Sequence, residues 1–421
     1  MLSLVRRCII AVVLSASPVA LADDFFFKDG DSVVMIGDSI TEQHLYSNYV
    51  EMWTSTRFPA WKLKFRNVGI GGDRSVGGNA RFTRDVLLHE PTAMTVDFGM
   101  NDGGYGGFSD KVFKPYMDGL QGMADQAKAA SIRVAWITPQ PLDNGDQGPT
   151  ALVGYNQTLE KFSDGVKVIA EKNDGLFVDQ FHPYLAALDG ARSKNSTYTR
   201  ITAGDAVHPG PPGQALMAAS ILKGLHFPAL VSGVIIDAAG SQIVAAKNCT
   251  IDNIVAKDGG LSFSRMDAAL PFFPAEAAAI LPYAPILEEL NDYHIQVNGL
   301  SAGKYEVRIA GIKVTQLTAE ELSAGTNIAA AVLEAGPIAG QVKSVREAIE
   351  RKNRFHHDII FRGIVLSSVP GWVTKAVSLD KLEEAKQAAI QEQLAKLPAM
   401  DAEIAQALTM KPNAFEIVPV K

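Results

Sequence analysis

The first half of the chain alternates short apolar runs with longer stretches of helical periodicity. The strand-like runs are residues 33–36, 62–66, 94–98, 133–138 and 175–179, and the helical stretches include residues 118–131, 155–173 and 211–225. Four consecutive apolar residues, as in 33–36, are typical of a strand buried on both faces. This alternation predicts an α/β fold, with a parallel sheet flanked by helices on both sides, that ends near residues 227–228.

The pattern changes after residue 228. Short β-branched runs within residues 233–263 are interrupted by glycine, asparagine and aspartate, and residues 293–299 and 304–309 continue the series. These runs predict a small antiparallel sheet, with residues 299–303 as a hairpin connection. Such a module could bind carbohydrate or serve a structural or interdomain role, and the absence of a clear aromatic platform in the sequence favours the structural role.

The final third has the period of amphipathic helices. Apolar residues recur at spacings of three and four in two groups: Ile338, Val342, Val345 and Ile349, and then Ile390, Leu394 and Leu397. Stripes of this width usually bury against the same chain. Binding to a membrane surface is the alternative, but the polar faces mix acidic and basic residues. The basic cluster at 351–354 is predicted to lie on a solvated face.

The chain therefore divides into four predicted parts. A leader at 1–22 precedes an α/β domain at 23–227, a β-rich accessory domain at 228–328 and a helical region at 329–421. In the leader, Arg6 and Arg7 precede a short apolar stretch, and residues 20–22 supply a small-residue cleavage site, which predicts a cleaved secretory signal. We therefore expect export to the periplasm or the cell exterior, with Cys249 as the one cysteine left after cleavage.

Composition limits the classes of partner. The formal net charge of −7 becomes −9 without Arg6 and Arg7, and phosphate binding depends on clustered lysine and arginine, so nucleic acid is disfavoured as a partner. No later run reaches the roughly 18 uninterrupted apolar residues of a membrane span. We expect a neutral or apolar substrate, and the sequence leaves the oligomeric state open.

Polar residues with catalytic potential follow the first strand. Gly37 permits a tight turn, and Ser39 comes where a helix should begin. There the unpaired N–H groups and the helix dipole favour developing negative charge, which suits a nucleophilic serine. The alternative is that Ser39 is an N-cap, because serine is a preferred capping residue.

Three further motifs add candidates. Residues 67–73 form a glycine-rich loop whose backbone can approach a substrate closely, and Asn101 follows another strand. An asparagine amide can donate to an oxyanion, although asparagine in a glycine-rich turn is more often turn chemistry. Asp205 and His208 are three residues apart, so the carboxylate can hold Nδ1–H of the imidazole while Nε2 faces elsewhere, as a general base requires.

Together these motifs resemble the SGNH (GDSL-type) hydrolase family. Its four blocks are matched, in order, by residues 37–41, 67–73, 99–102 and 205–208. The resemblance covers roughly residues 30–226 and implies a flavodoxin-like parallel sheet. It also implies a cofactor-independent esterase in which Ser39 is the nucleophile, His208 the base and Asp205 the carboxylate that orients it.

The resemblance also implies an oxyanion hole. Its donors would be the backbone N–H of Ser39, the backbone N–H of Gly72, with Gly71 as the alternative, and the side-chain amide of Asn101. Candidate substrate contacts flank these positions, although each is equally explained as a loop salt bridge or a turn residue: Asp38, Arg74 and Asp102.

Other catalytic classes lack their patterns in the required context. A Gly-x-Ser-x-Gly pattern occurs at residues 299–303, but there it falls in a predicted hairpin connection rather than in the strand-to-helix turn of the α/β-hydrolases. The sequence has no His-Glu-x-x-His motif of zinc proteases. His356 and His357 are adjacent, and neighbours on a helix point about 100° apart, so the pair is interpreted as a surface or lightly functional feature rather than a metal site. We expect a secreted carbohydrate O-acetylesterase. The alternatives are a lipase- or thioesterase-like acyl hydrolase and a catalytically silent carbohydrate-binding protein.

Overall fold

A computed structural model describes residues 24–144, 154–194, 200–368, 373 and 377–420. The predicted leader, with Cys8 in it, lies outside these residues. The first sheet contains the strands β1 (Ser32–Gly37), β2 (Lys64–Asn67), β3 (Ala93–Asp97), β4 (Arg133–Ile137) and β5 (Leu176–Val178). All pair in parallel in the order β2-β1-β3-β4-β5, so the predicted α/β fold is confirmed.

Within the described ranges, eight α-helices connect and flank these strands. They are α1 (Ser39–Glu42), α2 (Leu45–Arg57), α3 (Ser75–Ala80), α4 (Phe82–Asp85), α5 (Asp110–Ala129), α6 (Tyr155–Lys172), α7 (Phe181–Lys194) and α8 (Pro211–Gly224). Alternate residues of β1 enter different cores: Val33 and Met35 pack with α2 and α8, whereas Val34 and Ile36 pack with α5 and α6. Burial on both faces explains why the strand has no polar alternation.

The carboxyl ends of the parallel strands share one edge of the sheet. β1 lies inside the sheet, between β2 and β3, and α1 follows it directly. The loops after β2 and β3 emerge on either side of α1. In open parallel sheets this edge is where ligands bind, next to the strand at which the order reverses.

The accessory region contains two sheets. β6 (Leu230–Asp237), β7 (Gln242–Lys247), β10 (Asp292–Asn298) and β13 (Thr326–Asn327) form the first, in the order β13-β10-β6-β7. β8 (Cys249–Lys257), β9 (Gly260–Asp267), β11 (Lys304–Ile309), β12 (Ile312–Thr318) and β14 (Asn413–Pro419) form the second, in the order β12-β11-β14-β9-β8. Two short helical turns, a 3₁₀ turn at Ala275–Ile280 and α9 (Ile286–Leu290), precede β10.

Two expectations about this region are wrong. Residues 299–303 do not close a hairpin, because β10 and β11 belong to different sheets, and the hairpin partner of β11 is β12. The turn between β11 and β12 is Ala310–Gly311, both at positive φ, as in a two-residue hairpin turn. The region is also not purely antiparallel, because β6 and β10 pair in parallel. β14, which the sequence analysis missed, pairs with β9 and β11.

The last helical segments are α10 (Ala319–Ala324), α11 (Ala329–Glu334), α12 (Pro337–Phe355), a π-helical segment (His356–Val365), α13 (Leu379–Leu394) and α14 (Leu397–Ala407). α10 and α11 contact the accessory strands β10 and β12, whereas α12 packs on α2 of the first domain. The predicted stripe of α12 is buried against the same chain, and Ile390 and Leu397 enter the core beneath the parallel sheet. The basic cluster at 351–354 is not uniformly solvated, because Lys352 is buried and paired with Glu51 of α2.

Candidate active site

Three side chains from distant parts of the sequence meet at the carboxyl edge of the parallel sheet. Ser39 Oγ lies 2.9 Å from Nε2 of His208. On the other side of the ring, Nδ1 lies 3.1 Å from Oδ2 of Asp205. The contacts leave Nε2 with the serine and Nδ1 with the carboxylate, which is the arrangement of a serine nucleophile, a base and an orienting acid.

Asp38, rather than Ser39, caps helix α1. Its Oδ1 accepts the backbone N–H of Ile40 at 2.9 Å, and its backbone is extended. Ser39 is therefore the first helical residue, and the interpretation of this serine as an N-cap does not hold. Ser39 stays half-buried at the helix start, with its hydroxyl directed to the imidazole instead of to the backbone.

The loop that carries His208 is built around one carboxylate. Oδ1 of Asp205 accepts the backbone N–H groups of Val207 and His208, both at 2.7 Å, and this leaves Oδ2 for the ring. Partial burial raises the pKa of Asp205, but the hydrogen bonds from His208 and Val207 together lower it by more. The pKa of Asp205 is therefore below its ordinary value. The carboxylate is therefore ionised where it faces the imidazole.

Gly204 permits this loop to close. Its φ of +67° lies in the left-handed region, and a Cβ there would stand 2.1 Å from the carbonyl oxygen of His208. The N–H of Asp205 donates back to that same oxygen at 3.2 Å. A larger residue would displace the backbone that carries the imidazole.

The second motif forms a tight turn beside Ser39. The N–H of Asp73 donates to the oxygen of Ile70 at 3.2 Å, and Gly72 has a φ of +73°. Positive φ at the third position alone defines a type II turn, in which the peptide N–H of Gly72 is not used by the turn hydrogen bond. This N–H and that of Ser39 belong to adjoining loops at the same sheet edge.

Asn101 is held by hydrogen bonds at both ends of its amide. Nδ2 donates to the backbone oxygen of Asp73 at 3.0 Å and to Oδ2 of Asp38 at 3.3 Å. The hydroxyl of Tyr105 donates to Oδ1 at 2.8 Å and so fixes which end of the amide faces Asp38. Asn101 thus links the second and third motifs to the residue that precedes Ser39.

Arg81 clamps the second motif, and the sequence analysis did not identify it. The guanidinium donates to Oδ2 of Asp73 at 2.7 Å, to the oxygen of Val68 at 2.6 Å and to the oxygen of Gly37 at 3.1 Å. It also pairs with the buried carboxylate of Asp85, four residues further along the chain. That i,i+4 spacing was visible in the sequence, but the contacts to Val68 and Gly37 depend on the fold.

Buried carboxyl groups lie behind the site. Burial raises the pKa of Asp38 to about 7, opposed by the N–H of Ile40 and increased by the nearby Asp102 and Asp73. Burial likewise raises the pKa of Asp102 to about 6, against the hydrogen bonds that it accepts from Ser75. Burial and the charge of Asp38 hold the pKa of Asp97 well above its ordinary value. The negative charge behind Ser39 is therefore smaller than the count of carboxyl groups suggests.

The candidate substrate contacts have different environments. Asp38 and Asp102 are 3% and 6% exposed, and both are engaged by hydrogen bonds within the chain. Arg74 is exposed next to Asp73 and precedes α3. Of the three, Arg74 presents the most surface to a ligand.

The histidine pair at 356–357 is not a surface feature. His356 is buried, and its Nε2 lies 3.2 Å from Nε2 of His89. The ring of His357 packs edge-on against His44 at 4.7 Å. Within the described part of the chain, no group of three or more metal-ligating side chains is placed to hold an ion.

A cavity of about 660 Å³ lies away from this chemistry. Arg133 and Gly175, at the amino ends of β4 and β5, line it, so it is at the opposite edge of the sheet from Ser39. Ser39, Asp205 and His208 do not line this cavity, so it is not the candidate active site. Among the helices in the described ranges, none combines the length and the apolar character that crossing a bilayer requires.

The fold and these contacts define a hydrolase of the SGNH type, with the chemistry at the edge of a parallel sheet. The model of the GDSL-like lipase/acylhydrolase family matches residues 35–216, and this domain of the chain belongs to that family. The resemblance predicted from the four motifs is thereby confirmed. The domain is an acylhydrolase domain.

Particular relatives cover different parts of the chain. An acetylxylan esterase of Geobacillus stearothermophilus is 25% identical over an alignment of 219 residues, which covers 47% of this chain and 95% of that protein. Its crystal structure has a TM-score of 0.40 to this chain, with 24% identity, and covers 48% of this chain and 96% of its own. The structure of a gut microbial diltiazem-metabolizing enzyme, 23% identical, has a TM-score of 0.79 and covers 94% and 98%. The fold of the accessory and C-terminal regions is therefore shared with that structure.

Proposed function

We propose that this protein is a serine esterase that removes acetyl groups from carbohydrate through an acyl-enzyme. The observation that carries the proposal is the contact of 2.9 Å between Ser39 Oγ and His208 Nε2, with Asp205 on the far side of the ring. A hydroxyl is a weak nucleophile by itself, and an adjacent base that is oriented by a third group activates it.

In the first half-reaction, Ser39 Oγ attacks the ester carbon while its proton passes to His208 Nε2. The carbonyl oxygen becomes an oxyanion, which would be met by the N–H groups of Ser39 and Gly72 and by the amide of Asn101. Of the two hydrogen bonds from Nδ2 of Asn101, the bond to Asp38 is the longer at 3.3 Å, and we propose that this N–H turns to the oxyanion. Each such donor contributes about 3 to 4 kcal/mol to the transition state.

Collapse of this intermediate breaks the bond to the alcohol oxygen, which leaves with the proton from His208. A water molecule then attacks the acyl-serine as the imidazole takes its proton, and the acid is released when that proton passes to Ser39 Oγ. Asp205 stabilises the imidazolium in both half-reactions. Asp38 supports the oxyanion best in its protonated form, because a neutral carboxyl next to Asn101 does not repel the developing charge.

The acetyl group and the carbohydrate are the finer part of the proposal. They are supported by the similarity to an acetylxylan esterase, which extends over 95% of that relative. The leader at 1–22 supports export to the periplasm or the cell exterior, where polysaccharides are encountered. A lipase-like preference for longer acyl groups is the second candidate, because the family description includes lipases.

The catalytic proposal is tested by replacing Ser39 with alanine. We expect hydrolysis of p-nitrophenyl acetate to fall by a factor of about 10³ or more, because the base cannot activate an absent hydroxyl. Ser344→Ala, on the exposed face of α12, is the matched control and should retain the parent rate. A fluorophosphonate should phosphonylate Ser39 with loss of fluoride, so the peptide with Ser39 should gain the mass of the phosphonyl group in the parent and stay unlabelled in the variant. Equal rates in the parent and Ser39→Ala would exclude Ser39 as the nucleophile and favour a catalytically silent binding protein.

The substrate proposal is tested by acyl length. For p-nitrophenyl esters, kcat/KM should fall from acetate through butyrate to octanoate, and acetylated xylo-oligosaccharides should release acetate. A rise toward octanoate would contradict the acetyl preference and favour the lipase-like candidate. The two tests are independent, since an enzyme with the wrong acyl preference still depends on Ser39.

A further inference from the structure

The π-helical segment His356–Val365 follows α12 without a break and has one face in the core. Ile360, Phe361 and Val365 are buried among the residues beneath the parallel sheet. A Cβ at Gly363 would stand 2.7 Å from the oxygen of Asp358, five residues earlier, so glycine permits the close backbone approach of this wide helix. π-Helical segments are rare and are frequently found at functional sites.

The other face of the segment reaches the helix that begins with Ser39. Arg362 forms an ion pair of 2.7 Å with Oε1 of Glu42, the last residue of α1. His357 lies 3.7 Å from the same oxygen. Glu42 is 16% exposed, whereas Arg362 is 56% exposed, so the pair joins a largely covered carboxylate to a guanidinium at the surface.

Glu42 in turn lies against the glycine-rich turn of the second motif. A Cβ at Gly71 would stand 2.9 Å from Oε2 of Glu42, and a Cβ at Gly69 would stand 2.5 Å from its backbone nitrogen. Glycine at both positions lets α1 and this turn approach so closely. The carboxylate is therefore held by Arg362 through one oxygen and faces Gly71 with the other.

We propose that Arg362 is a positioning residue for the oxyanion hole. It anchors Glu42 against residues 69–72 and so directs the N–H of Gly72 to the developing oxyanion. The C-terminal region then completes the active site rather than only covering the sheet. This inference rests on the proposed esterase function, from which its tests are separable.

The first test replaces Arg362 with alanine and with lysine. Misdirecting one donor without removing it should lower kcat by about tenfold and leave KM within about twofold, since the donor acts mainly in the transition state. Lysine should restore part of the loss, because it keeps the charge without the planar fork. Arg351→Ala is the matched control: Arg351 is 59% exposed and pairs with Glu403 at 3.1 Å, on a surface that the site does not include. It should leave both constants unchanged, and thermal unfolding should show that all three variants are folded.

The second test asks whether Arg362 acts through Glu42. In a Glu42→Gln background, which lowers kcat itself, Arg362→Ala should cause no further loss, because the partner charge is already absent. Additive losses in the double variant would overturn the route through Glu42. An unchanged kcat in Arg362→Ala, with Ser39→Ala inactive, would overturn the inference and leave the esterase proposal intact. Full activity in Ser39→Ala would instead overturn the esterase proposal.

Discussion

At the scale of single residues, Asp38 combines two roles next to the nucleophile. One oxygen caps α1, the other accepts from Asn101, and the side chain is almost fully covered. Burial is the main cause of its raised pKa, and the N–H of Ile40 offsets only part of that effect. Below pH 7 the carboxyl is therefore mostly protonated at the place where an oxyanion would form.

The raised pKa of Asp38 predicts a pH-dependent stability. Its pKa is about 7 in the folded protein and 3.8 in the unfolded chain, so between these values the unfolded chain releases a proton that the folded protein retains. The stabilisation is fully present below pH 3.8 and is lost as the pH rises through 7, a change on the order of 4 kcal/mol. Relative to Asp38→Asn, the free energy of unfolding should thus fall from pH 4.5 to pH 7, as measured by urea denaturation. A difference between the two proteins that stays constant over this range would contradict the assignment.

Motifs located the reacting groups but not the residues that hold them. Ser39, Asp205 and His208 were identifiable because each follows a short, recognisable pattern at a predicted strand end or before a helix. Arg81 was not, because the backbone oxygens of Val68 and Gly37 that it contacts are brought near by the fold. Spacing along the chain carries no information about such contacts.

At the scale of elements, burial on both faces made the strands of the parallel sheet predictable. A continuous apolar run marked β1, and a run of mostly apolar residues marked β3. The choice of partner strand failed for β11, because a local turn signal does not specify which sheet a strand joins. β14 had a usable signal in the alternation of Phe415 and Ile417, both buried. The π-helical segment had no such sequence signal, because no simple period of apolar residues identifies a π-helix.

The docking of α12 on α2 depends on one buried ion pair. Lys352 and Glu51 are 1% and 4% exposed, and Asn353 donates to the second oxygen of Glu51 at 2.7 Å. Lys352→Ala leaves a buried carboxylate without its cation and should lower the free energy of unfolding by about 3 kcal/mol.

Two controls separate the charge effect from general damage to α12. Lys343→Ala, at an exposed position of the same helix, should change stability by no more than about 0.5 kcal/mol. The double variant Lys352→Met with Glu51→Gln should be more stable than Lys352→Ala, because no unpaired charge remains. Equal losses in Lys352→Ala and Lys343→Ala, measured by chemical denaturation, would contradict this account.

At the scale of the whole molecule, the two faces of the parallel sheet are covered by different later parts of the chain. One core continues from α2 and α8 into both accessory sheets, and the other receives the π-helical segment, Ile390 and Leu397. Arg57 of α2 reinforces the first junction by donating to the backbone oxygens of Leu230 and Leu290. The extended similarity to the diltiazem-metabolizing enzyme indicates that this arrangement recurs as a unit.

The central position of β14 in its sheet constrains the order in which the protein folds. β9 and β11 are synthesised long before residues 413–419. Until β14 is available to pair with them, each of these strands has one unpaired edge. Unpaired strand edges can pair with other chains, so the nascent protein is prone to aggregation until β14 is in place. The second accessory sheet is thus the last part of the fold to be completed. A chain truncated within α13 would lack β14, so β9 and β11 would each keep an unpaired edge.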